Sequence, residues 1–125
     1  MYTKLVQYVM KRETHIVEST TGRESKKVKV TKIGQMVAYL MKDGKIRIGY
    51  SVIRENSGDV FDKDMAEAIC LGRAELPDLA AKKRHVEMLQ TFADKSMRYF
   101  KDKKLDSRIM LYSDRQKEVR KAKSN

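Results

Sequence analysis

The segment Gly34–Glu75, GQMVAYLMKDGKIRIGYSVIRENSGDVFDKDMAEAICLGRAE, contains the clearest hairpin signal in the chain, followed by a clear change from strand to helix. Met36–Met41 is almost continuously apolar, which is typical of an interior strand covered on both faces. Asp43-Gly44 comes next and favours a type I′ turn, which requires positive φ at both central positions. Lys45–Val52 then alternates polar and apolar residues, which predicts a strand with one buried face and one wet, basic face.

The same segment predicts a helix from about Asp62 to Glu75. Asp59 or Asp62 can cap its first turn, because a carboxylate accepts hydrogen bonds from free backbone N–H groups. Gly72 and the apolar residues of the helix share one side, which we expect to pack closely against a neighbour: Met65, Ala68, Ile69 and Leu76. Within the preceding strand, Gly49 predicts a bulge or a close approach of backbones.

Two further β-rich stretches precede this segment. Leu5–Met10 and His15–Val17 are strand-like pieces separated by polar residues, and they predict a first hairpin. A short amphipathic helix over residues 3–12 is the alternative, because short apolar runs are ambiguous. Valines alternate with lysines over residues 27–33, which predicts a strand with one apolar face and one cationic face.

The second half of the chain has helical spacing of its apolar residues. Pro77 suits the first position of a new helix, and apolar residues then recur every three or four positions from Leu79 to Phe100. A weaker helical pattern runs from Leu105 to Val119 and ends in a basic tail that we expect to fray.

Strands in the first half and helices in the second half define an α+β fold. A chain of 125 residues predicts one domain, 1–125, with a core that needs neither disulfides nor metals. We expect a small antiparallel sheet over residues about 2–53, with its hairpin turn at Asp43-Gly44. Two or three helices over residues about 60–122 are expected to pack on it.

The composition restricts the class of protein. A net charge of +11 favours a polyanionic partner: nucleic acid, an anionic membrane surface or an acidic protein face. Cys70 is the single cysteine, which excludes an internal disulfide and zinc sites built on paired cysteines, and which fits a reducing compartment. No apolar run approaches the length of a membrane span, and the first residues do not resemble a signal peptide. We therefore expect a cytosolic protein without a membrane partner.

The titratable residues do not form a catalytic or metal-binding pattern. His15 and His85 lack partners at a recognised ligand spacing, and Cys70 lies among apolar neighbours, as a buried structural thiol does. The acidic cluster Asp59, Asp62 and Asp64 lacks the closing glutamate of an EF-hand, and helix capping explains it. A Mg²⁺-dependent enzyme acting on nucleic acid through this cluster is the alternative. The sequence thus predicts a non-enzyme, with no catalytic residue, metal or cofactor.

The basic residues give the one positive indication of function. They fall into groups on the predicted sheet and helices, and the candidate nucleic-acid-binding residues are Lys27, Lys29, Lys42, Lys45, Arg47, Arg54, Lys82, Lys83 and Arg84. If the strands over 27–33 and 45–53 are neighbours, their cations project from one sheet face and contact phosphates without reading bases. The alternative is that these residues are the solvated faces of amphipathic elements. The long helical stripe also leaves a homodimer open.

The stretch Lys45–Glu75, with KIRIGYSVI and then FDKDMAEAICLGRAE, resembles small phage-encoded accessory proteins of uncharacterised function. This resemblance implies a viral protein that works in the host cytoplasm, and it implies no catalytic residues. Two functions follow as expectations. The first is binding of DNA or RNA with little sequence preference. The alternative is a host-takeover or anti-defence protein that binds and inhibits an acidic host protein.

Overall fold

The described part of the chain, residues 2–54, 58 and 60–123 of a computed structural model, folds into two sheets and three helices. The order of elements is β1 Thr3–Glu18, β2 Glu24–Leu40, β3 Ile46–Val52, α1 Lys63–Ala74, β4 Asp78–Ala81, α2 Lys83–Tyr99, β5 Arg108–Leu111 and α3 Tyr112–Lys123. Strands β1, β2 and β3 form an antiparallel sheet in that order, and β4 pairs with β5 in parallel. The predicted α+β class, with its sheet in the N-terminal half, is confirmed.

The inner half of β2 is the centre of the molecule. Its side chains point alternately into two cores: Met36 and Ala38 pack with α2 and β4, whereas Val37 and Tyr39 pack with α1. All four are buried. The continuous apolar run that predicted a strand covered on both faces is therefore confirmed.

The hairpin between β2 and β3 is confirmed, but its turn type is different from the prediction. Only Gly44 has a positive φ, +81°, and Asp43 does not. The N–H of Gly44 donates to the Met41 carbonyl at 3.0 Å, and the N–H of Met41 donates to the Lys45 carbonyl at 2.9 Å. This pattern fits a type I turn over Lys42-Asp43 followed by a left-handed glycine, which also joins hairpin strands.

Strand β3 is covered on both faces, so the predicted wet, basic face is wrong. Gly49 lies directly under α1, and a Cβ built on it would stand 1.8 Å from the carbonyl oxygen of Cys70. The close backbone approach predicted at Gly49 is confirmed. Because the helix lies so near the sheet, only small side chains fit between them, and α1 buries Ala66, Cys70 and Ala74.

The packing face predicted for α1 is consequently wrong. Met65 is 63% exposed and Ile69 is 39% exposed, on the side of the helix that faces solvent. A Cβ at Gly72 would meet no atom within 4 Å. The predicted cap is confirmed, because the Asp62 carboxylate accepts from the N–H groups of Asp64 and Met65. Asp59 lies outside the described residues.

A long β-arm replaces the first hairpin predicted from two short strands. β1 is one continuous strand that pairs with β2 over its whole length, and the alternative helix over residues 3–12 is wrong. Within the described residues, β3 pairs with Gly34–Leu40 only, so the outer part of β2 pairs there with β1 alone. Residues 10–32, here called the arm, thus extend beyond the three-stranded sheet. Most of the arm is exposed, so the polar residues of the arm are compatible with continuous strands in both β1 and β2.

The C-terminal half contains two short strands where the sequence predicted helix. Asp78–Ala81 is β4, so Pro77 does not open a helix, and α2 begins only at Lys83. Arg108–Leu111 is β5, so the last helix begins at Tyr112. Leu79 fits the helical repeat that follows it, which is why the four-residue strand was hidden in the pattern. The result is a β4–α2–β5–α3 unit with parallel strands.

Replacing Gly49 by Ala should lower the free energy of unfolding by at least about 1–3 kcal/mol, because the added methyl group meets backbone atoms of α1. Gly72→Ala is the matched control and should raise it by about 0.5–1 kcal/mol, since its site is open. Urea denaturation followed by circular dichroism measures both. Equal stabilities of the two variants would contradict the close contact between α1 and β3.

Candidate anion-binding cleft

The two parallel strands end at the same edge, and each leads directly into a helix. β4 ends at Ala81 just before α2, and β5 ends at Leu111 just before α3. The first turn of a helix carries free N–H groups and a partial positive charge. In open α/β sheets, ligands bind outside the carboxyl ends of the strands. The topology therefore favours an anion at this edge.

A cavity of about 400 Å³ lies at this edge, and we call it the basic cleft. Its wall consists of residues from β3, from the segment that directly follows β3, and from α1, α2 and α3. Its lining residues are Tyr50, Val52, Ile53, Arg54, Arg73, Lys82, Arg84, His85 and Tyr112. Four of these are arginine or lysine, and none of the described lining residues is a carboxylate. The cleft is therefore suited to a negatively charged ligand.

Tyr50, on β3, contacts two other residues that line the basic cleft: His85 on α2 and Arg73 on α1. Its ring packs edge-on against the ring of His85, with 5.8 Å between the centroids. The Arg73 guanidinium lies 5.4 Å from the Tyr50 ring centroid and donates a 2.7 Å hydrogen bond from Nη1 to the Tyr50 carbonyl. These contacts fix Arg73, on α1, against the end of β3.

The Tyr50 hydroxyl stays protonated at neutral pH. Burial raises its pKa to about 12, the neighbouring Tyr112 hydroxyl adds to the rise, and the positive charge of Arg73 opposes it. The hydroxyl makes a long hydrogen bond of 3.5 Å to the carbonyl of Ala80. Tyr50 therefore acts as a neutral hydrogen-bonding group and not as an anion in the cleft.

The start of α2 lacks the residues that usually stabilise the first turn of a helix. Lys82 is its N-cap residue and makes no side-chain cap bond, and its first turn holds no acidic residue. Lys83 and Arg84 follow at once, so three cations stand at the positive end of the helix dipole, where cations are unfavourable. A helix selected for stability alone carries Ser, Thr, Asp or Asn at the cap. Violations of this kind are expected at functional sites.

The cationic surface continues from the basic cleft toward the arm. A second groove, of about 340 Å³, shares Val52, Arg84 and His85 with the cleft and extends to the base of the arm. Lys11 and Arg12 line it there, and no carboxylate does among its described lining residues. Lys11 also forms a 3.1 Å ion pair with Glu13, further along the arm. Cleft and groove together form a cationic track.

The structure distributes the nine predicted cations over three places. Arg54, Lys82 and Arg84 line the basic cleft, and Lys83 is exposed beside them. Lys27 and Lys29 lie on the arm, in the part of β2 that pairs with β1 and not with β3. The condition that strands 27–33 and 45–53 are neighbours is therefore not met, and their cations do not share one sheet face.

The remaining three predicted cations lie around the turn at the far end of β3. Lys42 and Lys45 are exposed there, and the seven residues of β3 separate them from the cleft by about 20 Å. Arg47 is half-buried, with its guanidinium 2.8 Å from the Asp106 carboxylate and donating to the Glu75 carbonyl at 3.1 Å. These contacts give Arg47 a structural role.

Four residues with polar or charged side chains that line the cleft were not among the predicted site residues: Tyr50, Arg73, His85 and Tyr112. For His85 and Tyr112, the signal is the repeated pattern of a short apolar run followed by a charged helix, LAA before KKRH and IML before YSDR. Read as two β–α units, this pattern predicts parallel strands whose carboxyl ends meet. Arg73 has no comparable local signal, because its place depends on how α1 lies on the sheet.

Other candidate chemistry has structural explanations. No group of three or more His, Cys, Asp or Glu residues within the described ranges could hold a metal ion. Cys70 is buried, and desolvation raises the pKa of its thiol to about 11, which makes it a poor nucleophile. Among the described residues, no helix combines the length and the apolarity that crossing a membrane requires.

Comparisons of the chain with protein-family models, with curated proteins and with solved structures gave no significant match.

The structural role of Arg47 leads to a stability prediction. Arg47→Met should lower the free energy of unfolding by about 1–3 kcal/mol, because it leaves the half-buried Asp106 carboxylate and the Glu75 carbonyl without this donor. Lys45→Met removes the same charge from an exposed neighbour and should change stability by less than about 0.5 kcal/mol. Thermal unfolding of both variants tests this, and an Arg47 variant as stable as the Lys45 variant would contradict it.

Proposed function

We propose that this protein binds nucleic acid through its phosphates, with little sequence preference and without catalysing a reaction. The observation that carries the proposal is the cation-lined cleft, in which side chains from four elements converge and no described lining residue is a carboxylate. Arginine and lysine at close range are the usual partners of phosphate.

A polymer is favoured over a small anion because the cations extend well beyond the cleft. The cationic track continues to Lys11 and Arg12 at the base of the arm. On the arm, Lys27 stands opposite His15 and Lys29 stands opposite Glu13, so the two lysines share a face with Lys11. A chain of phosphates can bind such a surface at several points, whereas a single small anion cannot.

Low sequence preference follows from the kinds of groups that are exposed. Flexible lysines and arginines contact phosphate oxygens, which are the same for every base. Two of the tyrosines, Tyr39 and Tyr50, are buried in the cores and are not available to stack on bases. By its resemblance to phage accessory proteins, we place this activity in a host cytoplasm.

An acidic host protein is the second candidate partner, and one observation favours it. The solvent side of α1 carries an apolar stripe with Met65 and Ile69, which phosphate binding does not use. Exposed apolar stripes rimmed by polar residues are typical of protein contacts. A protein bound there should stay bound after nuclease treatment and be lost from a Met65→Ser/Ile69→Ser variant whose affinity for oligonucleotides is unchanged.

A salt titration tests the proposed function directly. Fluorescence anisotropy with a labelled duplex and a labelled single strand should show affinity that falls steeply as salt rises, because each phosphate contact releases a counterion. Several oligonucleotides of unrelated sequence should give affinities within a few-fold of one another. Failure to bind at low salt, or binding that does not respond to salt, would rule the proposal out.

Lys82→Asp combined with Arg84→Glu should separate binding from folding. An N-cap aspartate and a first-turn glutamate suit the dipole of α2, so this variant should be more stable by about 0.5–2 kcal/mol. Its affinity for nucleic acid should nevertheless fall at least about tenfold, and the slope of log K against log salt should shrink by about 2.

The control for this variant is Lys42→Asp combined with Lys45→Glu. It makes the same change in charge at the opposite end of β3, about 20 Å from the cleft. The control should lose much less affinity than the cleft variant. Equal losses would mean that net charge, and not the cleft, determines binding.

A further inference from the structure

We infer that the basic cleft accepts a phosphomonoester, the dianionic end group of a nucleic-acid strand or the phosphate of a free nucleotide. For the strand end, the inference rests on the proposed function; for the free nucleotide, it does not. It extends that function from binding along phosphates to recognising where a strand ends.

The first argument is the charge concentrated in the cleft. Arg54, Arg73, Lys82 and Arg84 line a cavity of about 400 Å³. An internal phosphodiester carries a single negative charge, whereas a monoester carries about −1.5 to −2 at pH 7 and offers three acceptor oxygens. Arginine binds two such oxygens at once through its planar guanidinium. Several cations around one small cavity therefore match a monoester better than a diester.

The second argument is that the cations do not continue into the groove that borders the cleft on the side of α1. On one side the cleft opens into the second groove of the cationic track, which leads to the arm. On the other side it borders a groove of about 480 Å³ in which Val60, Phe61, Met65 and Ile69 are prominent. That groove shares Arg54 and Arg73 with the cleft, adds no further cation from the described residues and includes Asp62. A strand whose phosphates follow the track toward that groove thus reaches its last favourable position in the cleft.

The third argument is the supply of neutral donors. The first turns of α2 and α3 present backbone N–H groups at this edge, and such groups bind phosphate oxygens. The Tyr112 side chain lines the cavity at the start of α3. A monoester has more oxygens to satisfy than a diester, and the cleft supplies charged and neutral donors around one point.

Three oligonucleotides of the same single-stranded sequence test the inference: one with a 5′-phosphate, one with a 3′-phosphate and one with hydroxyls at both ends. By fluorescence anisotropy, one phosphorylated form should bind at least about tenfold more tightly than the hydroxyl form. The Arg84→Gln variant should reduce this preference to about twofold or less. Lys42→Gln, which removes one charge from the distant turn, should leave the preference unchanged.

A competition arm distinguishes the two sources of the monoester. A nucleoside 5′-monophosphate that displaces the phosphorylated strand, while the corresponding nucleoside does not, identifies the phosphate as the recognised group. Equal affinity for phosphorylated and hydroxyl strands would overturn the inference and leave the proposed function standing. If no oligonucleotide binds, the proposed function fails, and isothermal titration with the monophosphate then decides the inference alone: binding that Arg84→Gln abolishes supports it, and no binding overturns it.

Discussion

The contact between the backbones of Gly49 and Cys70 determines much of this structure. With no side chain at Gly49, α1 lies close enough to β3 that a Cβ there would overlap the Cys70 carbonyl. Arg73 follows Cys70 by about one helical turn, and Tyr50 follows Gly49 by one residue. The contact between Gly49 and Cys70 therefore brings Tyr50 and Arg73 close together. The Arg73 guanidinium donates a hydrogen bond to the Tyr50 carbonyl. The positions of Tyr50 and Arg73 in the wall of the basic cleft thus depend on Gly49 in β3.

The two halves of β2 differ in their burial. The inner half of β2 is covered on both faces and supplies residues to both cores. The outer half of β2 contributes no buried residue and pairs only with β1. Val28 and Val30 stay exposed on one face of the arm, and Lys27 and Lys29 on the other. One strand therefore serves as the core at one end and as a cationic, solvent-exposed surface at the other.

The features that could be predicted are those encoded by neighbouring residues. The apolar run Met36–Met41, the hairpin at Asp43-Gly44 and the cap at Asp62 each depend on a few consecutive side chains, and each is present. The packing face of α1 could not be predicted in this way, because the narrow gap at Gly49 selects small residues over Met65 and Ile69. The cleft depends on long-range contacts: Arg73 and Tyr50 are 23 residues apart, and α2 and α3 meet there only because β4 and β5 are parallel.

The starts of α1 and α2 differ in how their first turns are stabilised. The chain caps α1 with Asp62, which accepts from two N–H groups of the first turn. It begins α2 with Lys82, Lys83 and Arg84, although a capping residue there would stabilise the helix by about 1 kcal/mol. Under the proposed function, a bound phosphate would explain this difference, because its oxygens accept from free N–H groups of the first turn and its charge offsets the three cations. On this view the ligand takes the place of the missing cap, and binding of phosphate and stability of α2 are linked.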